Sequence, residues 1–149
     1  MGIKIISKNS RAGFDYFLEE RYECGIALQG TEVKSLRQGK AILNEGFVTI
    51  DSQNEVWLQN VTIPHYDFGN IHNHPETRKR KLLLTKEEIH QIQKKMATKG
   101  YTLIPTSLYF KDSLAKCEIA LAKGKKIYDK RDTAAKKDVE RKLRQGNFE

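Results

Sequence analysis

Between Ala115 and Leu121 every second residue is apolar: Ala115, Cys117, Ile119 and Leu121, separated by Lys116, Glu118 and Ala120. Successive side chains of a strand point to opposite faces, so this alternation dictates a β-strand with one buried face. Tyr22–Gln29 repeats the pattern, with Tyr22, Cys24, Ile26 and Leu28 at period two. A chain carrying two such strands must pair them and deal with the edges that pairing leaves open.

The segments between supply the rest of a sheet. Ile3–Ser7 reads as a short first strand, and Phe14–Arg21 as a helical turn running into the long strand that follows. Gly46–Ile50 and Val56–Val61 read as strands joined by a hairpin loop over 51–55. Tyr101–Phe110 reads as a strand in which Pro105 marks an edge or a bulge. Trp57, the sole tryptophan, is expected in the core or at its rim. Two stretches change period. Thr31–Gln38 predicts a short helix, with Thr31 as cap, Glu32 at its positive end and Gly39 as stop. Thr85-Lys86-Glu87-Glu88 is a capping box, followed at helical spacing by Ile89, Ile92 and Met96 and closed by Lys99-Gly100. Ile63–Lys81 lacks a period and reads as one long loop. The expected fold is mainly β with helices: a closed antiparallel oligonucleotide-binding-like β-barrel with flanking helices and a basic C-terminal tail. A split α+β sheet is the alternative.

Charge narrows the partners. The net charge is +8, hydrophobic residues make up 38% and the mean hydropathy is −0.65, which leaves a modest core under a very polar surface. Residues 123–149 hold ten Lys+Arg against five Asp+Glu, so over half of the excess lies at the C-terminal end. Such an excess points to a polyanion. Cations gather in three places: Lys34, Arg37 and Lys40; Arg78-Lys79-Arg80-Lys81; and Lys123, Lys125, Lys126, Lys130 and Arg131. The expected division is a domain over 1–128 and a tail over 129–149. The tail carries one narrow stripe, Ala135, Val139 and Leu143, with i,i+4 pairs Asp138–Lys142 and Glu140–Arg144. That is too little apolar area to hold a helix on the domain, so the tail is expected to be disordered when free and helical in an anionic channel. No apolar run reaches membrane-spanning length, no secretory pattern opens the sequence, and a cytoplasmic setting with free thiols at Cys24 and Cys117 is expected.

The residues argue mildly against catalysis. Both cysteines sit among apolar strand neighbours, where thiols are inert. His65, His72 and His74 lie in the long loop, but no third ligand has metal-site spacing, so neither metal nor cofactor is expected. Four consecutive cations beside His72, Asn73 and His74 suit RNA phosphates and bases instead. Glu32 is ambiguous: a carboxylate can accept from base amino groups, or simply sit at a helix start.

Three blocks carry a family resemblance. They are Gly25-Ile26-Ala27-Leu28-Gln29-Gly30-Thr31-Glu32-Val33-Lys34-Ser35-Leu36-Arg37, Arg78-Lys79-Arg80-Lys81-Leu82-Leu83-Leu84, and Ala122-Lys123-Gly124-Lys125-Lys126-Ile127-Tyr128-Asp129-Lys130-Arg131-Asp132-Thr133. In this order they resemble the signature blocks of the SsrA-binding protein (small protein B) family, and the likeness runs over essentially the whole chain. The resemblance implies a non-catalytic adaptor that binds the tRNA-like domain of tmRNA (SsrA RNA) and enters stalled 70S ribosomes for trans-translation. It implies a monomer when free, acting alongside elongation factor Tu on alanyl-tmRNA. It places Glu32 on the RNA-facing side, to which the cation clusters add Lys34, Arg37, Arg78, Arg80 and Lys81, and it puts Lys123, Gly124, Lys125 and Lys126 in contact with RNA at the barrel's end. It makes Asp129, Lys130 and Arg131 ribosome-facing, with the tail near the small-subunit decoding centre in the mRNA channel. Around Pro75 and Glu76 the loop departs from the family's usual Asp-Pro-x-Arg-x-Arg, leaving Arg78 and Arg80 matched.

Overall fold

In chain order the elements are β1 (Ile3–Lys8), α1 (Ala12–Asp15), β2 (Tyr16–Ile26), α2 (Gly30–Arg37), β3 (Phe47–Ile50), β4 (Val56–Gln59), β5 (Arg80–Leu83), α3 (Lys86–Met96), β6 (Tyr101–Lys111) and β7 (Leu114–Gly124). The computed structural model describes residues 2–66, 73–98 and 100–124. Expectations for His72, Lys99, Lys125, Lys126, Asp129, Lys130, Arg131 and the rest of the tail fall outside the described residues.

The strongest alternation makes the longest hairpin. Asp112 and Ser113 both take left-handed backbone, φ 50° and 71°, between the closing pair Lys111 and Leu114. Positive φ at both central residues of a two-residue loop matches the right-handed twist of the flanking strands. Cys117, Ile119 and Leu121 are fully buried, as the pattern requires. Ala120 and Ala122 are buried too, so the opposite face is also covered: Ala12 of α1, Ile104 and Ala122 form a small second core, with Tyr16 and Leu18 packed on it.

Every strand pairing is antiparallel. The sheet runs β1-β6-β3-β4-β5-β2-β7, and β7 also pairs with β6, so six strands form a ring. β1 lies on the far half of β6. The ring's inward residues, among them Leu58, Leu103, Leu108, Ile119 and Leu121, join Leu36 of α2 and Ile92 of α3 in one cluster. Each such side chain stabilises the fold by about 1.5–3 kcal/mol on burial. Pro105 sits at a register shift on β6, the bulge that a missing N–H favours. Next to it, Gly46 is required by space: a Cβ there would meet Val61 Cγ2 at 2.6 Å and Pro105 Cγ at 2.8 Å.

Several boundaries differ from the sequence reading. β2 begins at Tyr16 and ends at Ile26, so Leu28 belongs to the approach to α2. Arg80 and Lys81 open a strand instead of closing a loop. The α2 cap is Gln29: it is still extended (ψ 160°), whereas Gly30 and Thr31 are already helical. The α3 capping box is present, with Thr85 Oγ1 accepting from the Glu88 amide at 3.2 Å and Glu88 reaching back to the Thr85 amide at 3.1 Å. That helix stops at Met96, and Gly100 takes left-handed backbone (φ 97°) before β6.

Candidate nucleic-acid interface

The site starts from a carboxylate. Glu32 is the N3 residue of α2, and its Oε1 accepts from the Gln29 amide at 2.7 Å. That bond fixes the side chain against the helix start, where the macrodipole favours negative charge. The approach to β5 then brings two guanidinium groups to it. Arg78 donates from Nη2 to Oε1 at 2.5 Å and from Nε to Oε2 at 3.2 Å; Arg80 donates from Nε to Oε2 at 2.5 Å.

Burial divides the partners. Glu32 and Arg80 side chains have no exposed area, whereas Arg78 keeps 26% of its own. Arg80 spends its remaining donors on carbonyls of Val61 (2.8 Å), Glu76 (3.0 Å) and Arg78 (3.1 Å). Among the described residues no buried side-chain polar atom lacks a partner. Burial pushes the Glu32 carboxyl up, but hydrogen bonds from Arg78, the Gln29 amide and Arg80 outweigh it and hold it below its usual value. The carboxylate therefore stays ionised, a hub that ties α2, β5 and the 73–79 segment together.

His74 is the second tie. It is 1% exposed; Nε2 lies 2.8 Å from the Ile63 carbonyl and 3.1 Å from that of Pro64, and Nδ1 lies 2.9 Å from Thr31 Oγ1. With two carbonyls facing it, Nε2 carries the ring proton and donates, leaving Nδ1 to accept from Thr31. Thr31, expected to cap α2, thus serves the loop instead. Ser35 Oγ donates to the Pro64 carbonyl at 2.6 Å, and the His65 amide to Glu76 Oε2 at 3.1 Å. Among the described residues no group of three His, Cys, Asp or Glu side chains is placed to hold a metal ion. The cysteines face each other in register across β2 and β7, both fully buried.

A base-reading role does not fit the enclosure of the Glu32 carboxylate, whose oxygens are all engaged by protein donors. Arg80 is likewise enclosed. Lys34 and Arg37 project from α2 into solvent, Lys34 with its Nζ 5.4 Å from the Tyr66 ring centroid. Lys81 is half-buried and pairs with Glu55 at 3.3 Å. Lys34 and Arg78 therefore flank a corner whose foundation is Glu32 and Arg80, while Arg37 lies at the far end of α2 and Lys81 points to the outer face of β5.

Lys123 and Gly124 are exposed but lie elsewhere. Gly124 pairs with Tyr16 at one end of β2, whereas β5 pairs with Gly25 and Ile26 at the other. The nine-residue separation from Tyr16 to Gly25 is roughly 30 Å of strand. The cations thus form two patches at opposite ends of β2. Sequence reasoning missed Gln29 as cap and His74 as an anchor. Period-two reading of Arg78–Lys81 would have separated the inward arginines from the outward lysines.

This chain matches the model of the SmpB protein family over residues 6–147. It is 52% identical over 145 residues to the SsrA-binding protein of Geobacter metallireducens, covering 97% of this chain and 94% of that one. It is 55% identical over 142 residues to the SsrA-binding protein of Saccharopolyspora erythraea, covering 95% and 89%. A solved chain described as "tmRNA-SmpB: a journey to the center of the bacterial ribosome" shares 44% identity and a TM-score of 0.68, over 81% of this chain and 85% of that one. With half the sequence shared along nearly the whole chain, the chain belongs to the SmpB, or SsrA-binding protein, family.

Proposed function

We propose that this chain is an RNA-binding adaptor that binds the tRNA-like domain of tmRNA and delivers it to stalled ribosomes for trans-translation. The observation that carries this reading is the family match over residues 6–147, which spans all three basic blocks. The ring of strands is read as an oligonucleotide-binding-like barrel, the domain as 1–128 and the tail as 129–149. No reaction is assigned to the chain; it acts by binding, in the cytoplasm, as a monomer when free and beside elongation factor Tu on the charged RNA.

The structure supports a division of labour. Lys34, Arg37 and Arg78 supply cations to the RNA backbone along α2 and the approach to β5, and Lys81 supplies one from the outer face of β5. Glu32 and Arg80 are positioning residues: they hold that corner in shape and touch no RNA. Lys123 and Gly124, with Lys125 and Lys126 beyond, form the second RNA contact at the other end of β2. Asp129, Lys130 and Arg131 face the ribosome. Pull-down of the tagged protein from a bacterial lysate, followed by RNA sequencing, tests the reading. Enrichment of tmRNA above all other transcripts is the expected result; recovery of tRNA and ribosomal RNA in proportion to their abundance would refute it.

A further inference from the structure

The alternation that turns Arg78 and Arg80 inward turns Lys79 and Lys81 outward. They join the outer face of a three-strand surface. In β4, Val56 and Leu58 are buried and Trp57 and Gln59 face out; in β3, Val48 is buried and Phe47 and Thr49 face out. Register sets Thr49 opposite Trp57, Trp57 opposite Lys81, and Phe47 opposite Gln59. A hydrogen bond from Gln59 Nε2 to Thr49 Oγ1, 2.7 Å, confirms the shared face. Phe47 and Trp57 are diagonal cross-strand neighbours, about 7–8 Å apart at the backbone.

Three details make this more than a rim of the core. Phe47 is 40% exposed, so its ring is available on the outer face. Trp57 is oriented by a hydrogen bond from its Nε1 to Asp51 Oδ2, 3.0 Å, so its ring is held before any ligand arrives. Lys79 Nζ sits 4.5 Å from a centroid of the Trp57 ring, a cation over the face that a planar base would take by displacing it toward the base's own phosphate. The Lys81–Glu55 pair is partly exposed, with side chains 42% and 36% exposed, so Lys81 can exchange Glu55 for a phosphate at modest cost. Asp51 and Glu55 mark the hairpin-loop end of the face, which favours a strand running past Lys79.

We propose that the outer face of β3, β4 and β5 is a stacking platform for unpaired RNA bases, with Trp57 and Phe47 under the bases and Lys79 and Lys81 on the phosphates. This rests on the RNA-binding reading and adds to it a third contact surface, on the opposite face of β5 from the Glu32 corner. Aromatic stacking flanked by cations is how proteins hold single strands without reading sequence.

Because Trp57 is the only tryptophan, its emission reports this face alone. The test titrates the full chain with a short oligouridine strand and, in parallel, with the tRNA-like domain of tmRNA. Oligouridine should quench Trp57. Trp57→Thr and Phe47→Thr should each weaken its binding by about fivefold or more. Trp57→Phe should bind within twofold of the parent, and Lys79→Gln should lower the salt slope by about one. Thermal melts of the variants check folding, and the quench itself needs no variant. Oligouridine that does not bind, that binds without quenching, or whose affinity falls less than fivefold in the threonine variants overturns the platform. If the tRNA-like domain still binds, the broader function stands; if neither RNA binds, both fall.

Discussion

Replacing Glu32 with glutamine should unfold this domain at a much lower temperature. The carboxylate receives four hydrogen bonds, one from the Gln29 amide, two from Arg78 and one from Arg80. Glutamine keeps one acceptor oxygen and turns an NH2 donor toward a guanidinium. Arg80, with no exposed side-chain area, is left as a buried cation without its counter-charge. Removing one partner of a buried ion pair costs ~3–5 kcal/mol. Total stability for a domain of this kind is about 5–15 kcal/mol. At about 3 °C per kcal/mol, Tm should fall by about 10 °C, read by circular dichroism at neutral pH. Adding Arg80→Met removes the orphaned charge but also strips the Val61 and Glu76 carbonyls of their donor, so it should restore part of the loss and not all of it. The pH dependence follows from the depressed carboxyl. Stability from Glu32 is fully present above the ordinary glutamate pKa and is lost as pH falls through the lower folded value. The gap between parent and Glu32→Gln should therefore close in acid. A Tm within about 3 °C of the parent at neutral pH, or a gap that widens in acid, would refute the reasoning.

Other perturbations separate packing from binding. Burial pushes the Cys24 thiol up to about 12, with Glu88 and Glu23 adding to it, and raises Cys117 well above its usual value. Iodoacetamide should label neither in the native protein at pH 8 and both once urea unfolds it; rapid native labelling would show the strands open. Gly46→Ala should lower the urea midpoint by an equivalent of about 1–3 kcal/mol, since Val61, Pro105 and the Leu43 carbonyl leave no room; an unchanged midpoint contradicts the crowding. Truncation after Tyr128 should leave affinity for the tRNA-like domain of tmRNA nearly intact and abolish tagging on stalled ribosomes. A loss of affinity beyond about tenfold would end the proposed division between domain and tail.

What local pattern could carry, the sequence displayed. The alternation through Cys117, Ile119 and Leu121 fixed the inward face of β7, and Thr85 with Glu88 marked the start of α3 within a residue. The burial of Ala122 was not legible, because it depends on Ala12 of α1 arriving from more than a hundred residues away. Glu32 shows the same limit at the site. From sequence it is a helix-start acid or a base reader. Its role as a buried hub exists only because Arg78 and Arg80 reach it across 46 and 48 residues. Four adjacent cations read as one patch, and only the period-two alternation of β5 divides them between core and surface. The family's identity was legible because it lies in whole blocks of residues, which survive whatever a single position does.

The central claim is selective recognition of one RNA. A labelled tRNA-like domain of tmRNA, bound to the full chain, is challenged with unlabelled bulk tRNA and with duplex RNA at physiological salt. The complex should survive a large excess of either competitor and yield only to the unlabelled domain. Displacement by bulk tRNA or duplex RNA to the same degree as by the domain itself would contradict the account.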